Sequence, residues 1–248
     1  MIDTHAHLDA LDEPDAAVAR AREAGIERIL TVGTDLAGCR RALELAGAHE
    51  GVFAILGIHP HEASAADAET VRQLARLQAH PKAVAVGEIG LDHYRDYAPR
   101  DDQQRAFAAQ LALAAELGKP AVIHTRAADE DTLAALDGFG GTVVLHCFSA
   151  PRLLPAALER GWYVSFAGNA TFPKATDLRL AASQVPADRI LAETDSPYLA
   201  PQPVRGRQNE PAYVVHTLAA LAAVRGEEPR ELEERIESNA IACFGLPE

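Results

Sequence analysis

Cysteine and lysine are both scarce in this sequence: there are three of each in 248 residues, although Lys and Arg together number 23. Cys39, Cys147 and Cys243 are far apart and odd in number. They form no Cys-x-x-Cys pair and no disulfide framework, which suits a reducing compartment. No apolar run approaches the length that spans a bilayer, and no basic stretch followed by an apolar one opens the chain. The expectation is therefore a cytoplasmic protein without presequence or membrane anchor. Basic charge is short as well, since 36 acidic residues leave a net charge of −13. That balance excludes a general nucleic-acid coat protein, because neutralising phosphates requires surplus cations. It still admits an enzyme that meets one phosphate at a time at a metal, since bound cations reverse the local sign. Aromatic residues are 5% of the chain, and Trp162 and its scattered companions make no stacking stripe.

What the sequence has is apolar material, 48% of residues against 24% charged, enough for one large core over residues 1–248. Short apolar runs alternate with helical stretches. The strand candidates are Ile2–His5, Arg28–Val32, Val52–Gly57, Ala83–Glu88, Ala121–His124, Thr142–His146, Trp162–Phe166 and Arg189–Thr194. Between them Phe107, Leu111, Ala114 and Leu117 keep helical spacing, as do Val214, Leu218 and Leu221. Ser64 with Asp67 three residues on reads as a capping-box variant opening the third helix. Regular alternation implies a parallel sheet with right-handed crossovers, and eight repeats in about 250 residues favour closure into a single (β/α)8 TIM-type barrel. A last helix near Pro229–Cys243 is an extra element covering the bottom or side.

Chemistry-bearing residues stand at the carboxyl ends of five of these strands, where barrel active sites lie. His5 and His7 are two apart, so strand alternation points both rings inward. Glu88 ends the fourth strand, His124 the fifth, His146 the sixth and Asp195 the eighth. Burying six such groups without a partner would cost several kcal/mol, and a pair of divalent cations is the simplest partner. The expected division gives one metal to His5, His7 and Asp195, the second to His124 and His146, with Glu88 bridging. A mixed nitrogen and oxygen shell suits Zn, Mn, Fe or Co, and Mg less comfortably. Two such ions activate a water and clamp a phosphoryl oxygen, and Asp195 is placed to accept that water's proton.

The blocks DTHAHLD, GIHPHEA, GEIGLDHYRD, PAVIHTR, LHCFSA and ETDSPYLAP followed by RGRQNEPAYV, in this order, resemble the TatD family of metal-dependent deoxyribonucleases from Asp3 to Phe244. The resemblance implies a metal-dependent barrel that cleaves DNA phosphodiesters, and matches the six residues above to the family's metal ligands. It also matches His59 to a position that contacts substrate phosphate. Two positions depart from the family pattern. Ala150 stands where glycine is commoner, which would restrict φ, and Gln208 follows Arg207 where a second basic residue is usual.

Around this core of assignments, Arg126 lies two residues past His124 and suits bidentate phosphate binding, with a rim salt bridge as the alternative. His61, His93 and Arg95 are weaker candidates for lining the groove. Asp92 and Asp9 are expected to orient ligand imidazoles, and Cys147, next to a ligand, is expected to face away. A binuclear hydrolase of small C–N or C–O substrates remains the alternative function. Such barrels often bridge their metals through a carboxylated lysine, whereas here Glu88 takes that place and no lysine ends a strand. A non-catalytic metal scaffold is a third possibility. No obligate protein partner is indicated.

Overall fold

A computed structural model describes residues 1–247. Eight strands, β1 (Ile2–Ala6), β2 (Arg28–Gly33), β3 (Val52–Leu56), β4 (Ala83–Asp92), β5 (Ala121–Arg126), β6 (Val143–Leu145), β7 (Tyr163–Phe166) and β8 (Ile190–Ala192), form one sheet in sequence order, all pairs parallel. Their helices are α1 (Pro14–Glu23), α2 (Leu36–Ala48), α3 (Ala68–Leu77), α4 (Arg100–Leu117), α5 (Asp129–Ala135), α6 (Leu154–Glu159), α7 (Thr176–Gln184) and α8 (Val214–Arg225). The strands are buried almost throughout, as parallel strands with helices outside must be. No described helix is long and apolar enough to cross a membrane.

The barrel closes just beyond the ends of β1 and β8. Asp195 N donates to His5 O at 2.9 Å and His7 N donates to Ser196 O at 2.7 Å, with a parallel bridge between Ala6 and Ser196. Lower on the same seam, Asp3 accepts from Thr194 N at 2.9 Å and Thr194 Oγ1 at 2.5 Å, and Thr4 Oγ1 donates to Ala192 O at 3.0 Å. The extra helix α9 (Pro229–Phe244) covers the seam from below. Its Asn239 donates to Ala187 O and Ile190 O, while Glu233 and Glu237 face the amino terminus of Met1.

Three local expectations are corrected. β4 does not stop at Glu88 but runs on to Asp92, because Asp92 still pairs with Arg126 of β5. β8 ends at Ala192, so Asp195 belongs to the closing segment. Asp67 alone caps α3, accepting from Thr70 N at 2.8 Å, while Ser64 lies in a preceding 3-10 turn and donates to Asp102. On α4 the apolar face buries Phe107, Leu111 and Ala114, and Leu117 at its end is 38% exposed.

Candidate metal centre

Glu88 lies at the centre of the site, 3% exposed. The β4 backbone reaches it through crowded glycines. A side chain on Gly87 would come within 2.6 Å of Val122 Cβ, and one on Gly90, whose φ is +141°, within 2.0 Å of His124 O. Only glycine lets β4 and β5 approach this closely.

The two oxygens of Glu88 face different partners. Oε2 is 3.5 Å from His5 Nε2 and 3.7 Å from His7 Nε2. Asp195 Oδ1 completes that group, 3.5 Å from His7 Nε2 and 4.0 Å from His5 Nε2. Oε1 is 2.7 Å from His124 Nδ1, 2.8 Å from His146 Nε2 and 3.4 Å from His59 Nε2. Donor atoms that are each about 2.1 Å from one ion lie about 3.0–3.4 Å apart, so most of these separations are those of a shared ligand shell or a little wider. Ligand atoms within 4.8 Å of one another occur in three sets: His5, His7 and Glu88; His5, His146 and Asp195; His59, Glu88 and His124. His5 supplies the sharpest test of fit. It is fully buried, and neither ring nitrogen has a hydrogen-bond partner. Such an orphan costs about 1–3 kcal/mol, and a cation beside Glu88 and Asp195 would relieve it.

The electrostatics agree. Burial favours the neutral acid at Glu88, yet the imidazoles of His146, His59 and His124 hold its carboxyl well below the usual range. Burial opposes the charge on His146 too, but Glu88 and Glu193 raise it well above the ordinary histidine value. His7 and His124 are raised against the same burial penalty, by Asp195 and Glu88 and by Asp92 and Glu88 respectively. Burial lowers His5, with His146 adding to the effect, and lowers His59 to about 4. Protons and metal ions compete for sites of this kind.

Of the two carboxylates expected to orient imidazoles, Asp92 contacts one, while Asp9 lines the cleft without a hydrogen bond to a histidine among the described residues. Asp92 Oδ2 meets His124 Nε2 at 3.2 Å and His61 Nε2 at 2.9 Å. Glu193 does the same for His146, accepting from Nδ1 at 3.1 Å and from Cys147 N at 2.8 Å. Above the centre opens a cleft of about 750 Å³ lined by five carboxylates (Asp9, Glu62, Glu88, Asp92 and Asp195) against two guanidinium groups, Arg95 and Arg126. A cleft of that sign repels phosphate unless cations reverse it.

The family described as TatD related DNase matches residues 2–245. The chain belongs to the TatD family. It is 39% identical to the uncharacterized metal-dependent hydrolase TatD of Mycobacterium tuberculosis, over 99% of this chain and 98% of that one. It is also 39% identical to the 3'-5' ssDNA/RNA exonuclease TatD of Klebsiella pneumoniae, over 94% and 92%. A solved structure, the TatD homolog YjjV of Escherichia coli K12, superposes with a TM-score of 0.93 at 29% identity, covering 100% of this chain and 98% of that one. This TatD chain is accordingly a hydrolase, and its His and Glu clusters are able to hold metal.

Other residues fall differently from the sequence reading. Cys147 does not face away. β6 ends at Leu145, and a φ of +43° at Cys147 turns its side chain into the cleft beside Asp195. Burial, and then Asp195, push that thiol well above its ordinary value. Arg126 forms no ion pair among the described residues; it lines the cleft with its guanidinium 4.1 Å over the Tyr94 ring. Arg95 lines the cleft, whereas His93 lines a separate small hollow with Asp131 and Arg152. Ala150 sits at φ −116°, which alanine adopts without strain, and Gln208 is exposed and away from the cleft lining. Sequence reasoning missed Glu193, and also Gln103 and Gln110. These amides stand seven apart on α4; Gln103 clamps Asp92 at the end of β4 and Ala98 in the loop after it, and Gln110 clamps Ile58, beside His59. Polar residues on an otherwise apolar helix face were the available signal.

Proposed function

We propose that this TatD protein is a nuclease that hydrolyses phosphodiester bonds in DNA at a centre of two divalent cations, Zn, Mn or Mg, working in the cytoplasm as one unit over residues 1–248. The observation that carries the reading is Glu88, whose two oxygens each face a separate set of imidazoles. His5, His7 and Asp195 would hold one ion and His124 and His146 the other, with Glu88 between them. Bound there, divalent cations supply Lewis-acid polarisation of a phosphoryl oxygen and lower the pKa of a water.

The chain's own groups account for the rest. Asp195 accepts the proton of the attacking water, its carboxyl kept below the usual range, against burial, by His7 and His146. Arg126 binds a phosphate oxygen from the rim, and His59, uncharged at neutral pH, hydrogen-bonds to the phosphate from the side of β3. The alternative chemistry on small C–N or C–O substrates lacks the lysine that often bridges the metals of such barrels, since no lysine is among the residues lining the cleft. Lys82 is fixed on Glu50 O, Lys119 on Gln78 O and Ala83 O at the opposite end of the barrel, and neither is near Glu88.

The test is metal content and cleavage of 5′- and 3′-labelled single- and double-stranded DNA, for wild type, Glu88→Ala and His59→Ala. Glu88→Ala is expected to lose at least one metal and nearly all hydrolysis, and His59→Ala to retain both metals. Full occupancy and activity in Glu88→Ala would refute the centre. Loss of metal in His59→Ala would move His59, 3.4 Å from Glu88 Oε1, from the phosphate to the second ion.

A further inference from the structure

Three of the chain's five tyrosines stand with Leu117 and Leu180 as the exposed large hydrophobic side chains among the described residues: Tyr94 is 64% exposed, Tyr97 67% and Tyr198 56%. Tyr97 and Tyr198, far apart in sequence, both lie at the mouth of the cleft, whereas Tyr94 is not part of its lining and packs under the Arg126 guanidinium. Tyr97 follows β4 and Tyr198 follows β8, four places round an eight-stranded ring, so they face each other across the opening, and both line it. Tyr97 lies 4.7 Å from the His61 ring and Tyr198 5.8 Å from the His7 ring.

Their backbones are anchored although their rings are free. Asp92 Oδ1 accepts from Tyr94 N at 3.0 Å and Arg95 N at 2.8 Å, and Gln103 holds Ala98 O at 2.9 Å. Tyr198 N donates to Asp195 O at 2.9 Å, and Tyr198 O accepts from buried Asn209 at 2.5 Å. With the backbone fixed, only the two χ angles of each tyrosine remain to be ordered when a flat partner covers the ring. Below them Glu88 is almost inaccessible, so a scissile phosphate must descend while its flanking bases stay at rim level.

We propose that Tyr97 and Tyr198 are specificity-determining residues of this site, each stacking on an unpaired base on its own side of the scissile phosphate. The proposal rests on the phosphodiesterase reading above. In a duplex both faces of an internal base are already covered by its neighbours, so the tyrosines have nothing to stack on until a strand end frays. Stacking accepts every base, because each has a π-face, and so needs no sequence readout.

The experiment compares kcat/KM on a single-stranded oligonucleotide with that on the same oligomer made abasic at its terminal nucleotides, for wild type, Tyr97→Ala, Tyr198→Ala and the two Phe variants. The ratio of base-bearing to abasic substrate should fall roughly 5- to 150-fold in each Ala variant and stay within a few-fold of wild type in the Phe variants. More than half of each side chain is exposed, so truncation leaves the core untouched. An unchanged ratio in both Ala variants of an active enzyme would overturn the stacking proposal alone. A metal-loaded wild type that cleaves neither oligomer would overturn the phosphodiesterase reading, and this proposal with it.

Discussion

Replacing Glu193 with glutamine keeps the size and shape of a fully buried side chain while removing its charge. In the native protein a single oxygen, Oε1, accepts from both His146 Nδ1 and Cys147 N, and Oε2 has no partner. A glutamine can place its carbonyl oxygen at the Oε1 position, so both contacts survive as neutral hydrogen bonds. A hydrogen bond to a charged group contributes about 1.5–3 kcal/mol and a neutral one about 0.5–1.5 kcal/mol. The difference, about 1–1.5 kcal/mol at His146, corresponds to about tenfold, and partners of ligand histidines typically matter by about 10–100-fold in metal affinity or activity. Competition with a coloured chelator should therefore show metal affinity reduced at least tenfold, with kcat largely restored when metal is saturating. Glu193→Ala should be worse, because it leaves the ring nitrogen and the Cys147 N–H without an acceptor, at about 1–3 kcal/mol each, and its Tm should fall as well. Metal affinity within twofold of wild type in both variants would refute the positioning role.

Asp195→Asn retains an oxygen of similar size but removes the proton acceptor, so steady-state kinetics should show kcat reduced roughly 10²–10⁴-fold with metal partly retained; wild-type kcat would exclude Asp195 as base. Prolonged alkylation should stop hydrolysis in wild type but not in Cys147→Ala, because Cys147 lines the cleft while Cys39 and Cys243 are buried; mass spectrometry showing Cys147 modified in a fully active enzyme would contradict its placement. Burial pushes the Cys39 thiol up to about 12 from 9.0, so the folded chain keeps a proton that the unfolded chain releases. That stability is complete below the unfolded value and is lost as pH rises through the folded one. Urea unfolding of wild type and Cys39→Ala should therefore show the wild-type advantage shrinking above about pH 9, and a constant difference would contradict the shift.

Much of the barrel was legible because parallel strands buried on both faces read as unbroken apolar runs, and eight of them alternate with helices. Their ends were less legible, because a strand ends where its neighbour stops pairing. Asp92 extends β4 only because Arg126 lies opposite it, which nothing local in GEIGLDHY reveals. The Cys147 side chain was misassigned for a related reason: strand alternation was carried past Leu145, where the strand had already ended and a left-handed residue reverses the direction. The ligand-type residues that gather around Glu88 were legible as candidates because a histidine or carboxylate at the end of an apolar run is costly to bury alone. Glu193 was not, since one residue before Thr194 and Asp195 it looked like part of the same polar turn, and only the fold shows His146 Nδ1 aimed at it. Tyr97 and Tyr198 show the limit most plainly, because a rim assembled from the segments after β4 and β8 leaves no stripe in the sequence.

The proposed metal ligands and the closure of the barrel are one structure. His5 and His7 stand at the end of β1, Asp195 just beyond β8, and the bonds joining these edges are made by the ligand residues' own backbone: Asp195 N to His5 O, and His7 N to Ser196 O. A φ of +54° at Asp195, in the sparsely populated left-handed region, is held between that bond and the one from Tyr198 N to Asp195 O. The geometry of the first ligand group is therefore set only when the last strand reaches the first, and no shorter piece of the barrel contains it. The second group, carried by β4, β5 and β6, depends instead on neighbouring strands whose approach the glycines at 87 and 90 permit. Glu88 joins a site formed by local strand pairing to one formed by ring closure. A carboxylate whose oxygens must satisfy both can occupy only one position, which is why it lies buried inside β4 rather than free at its tip.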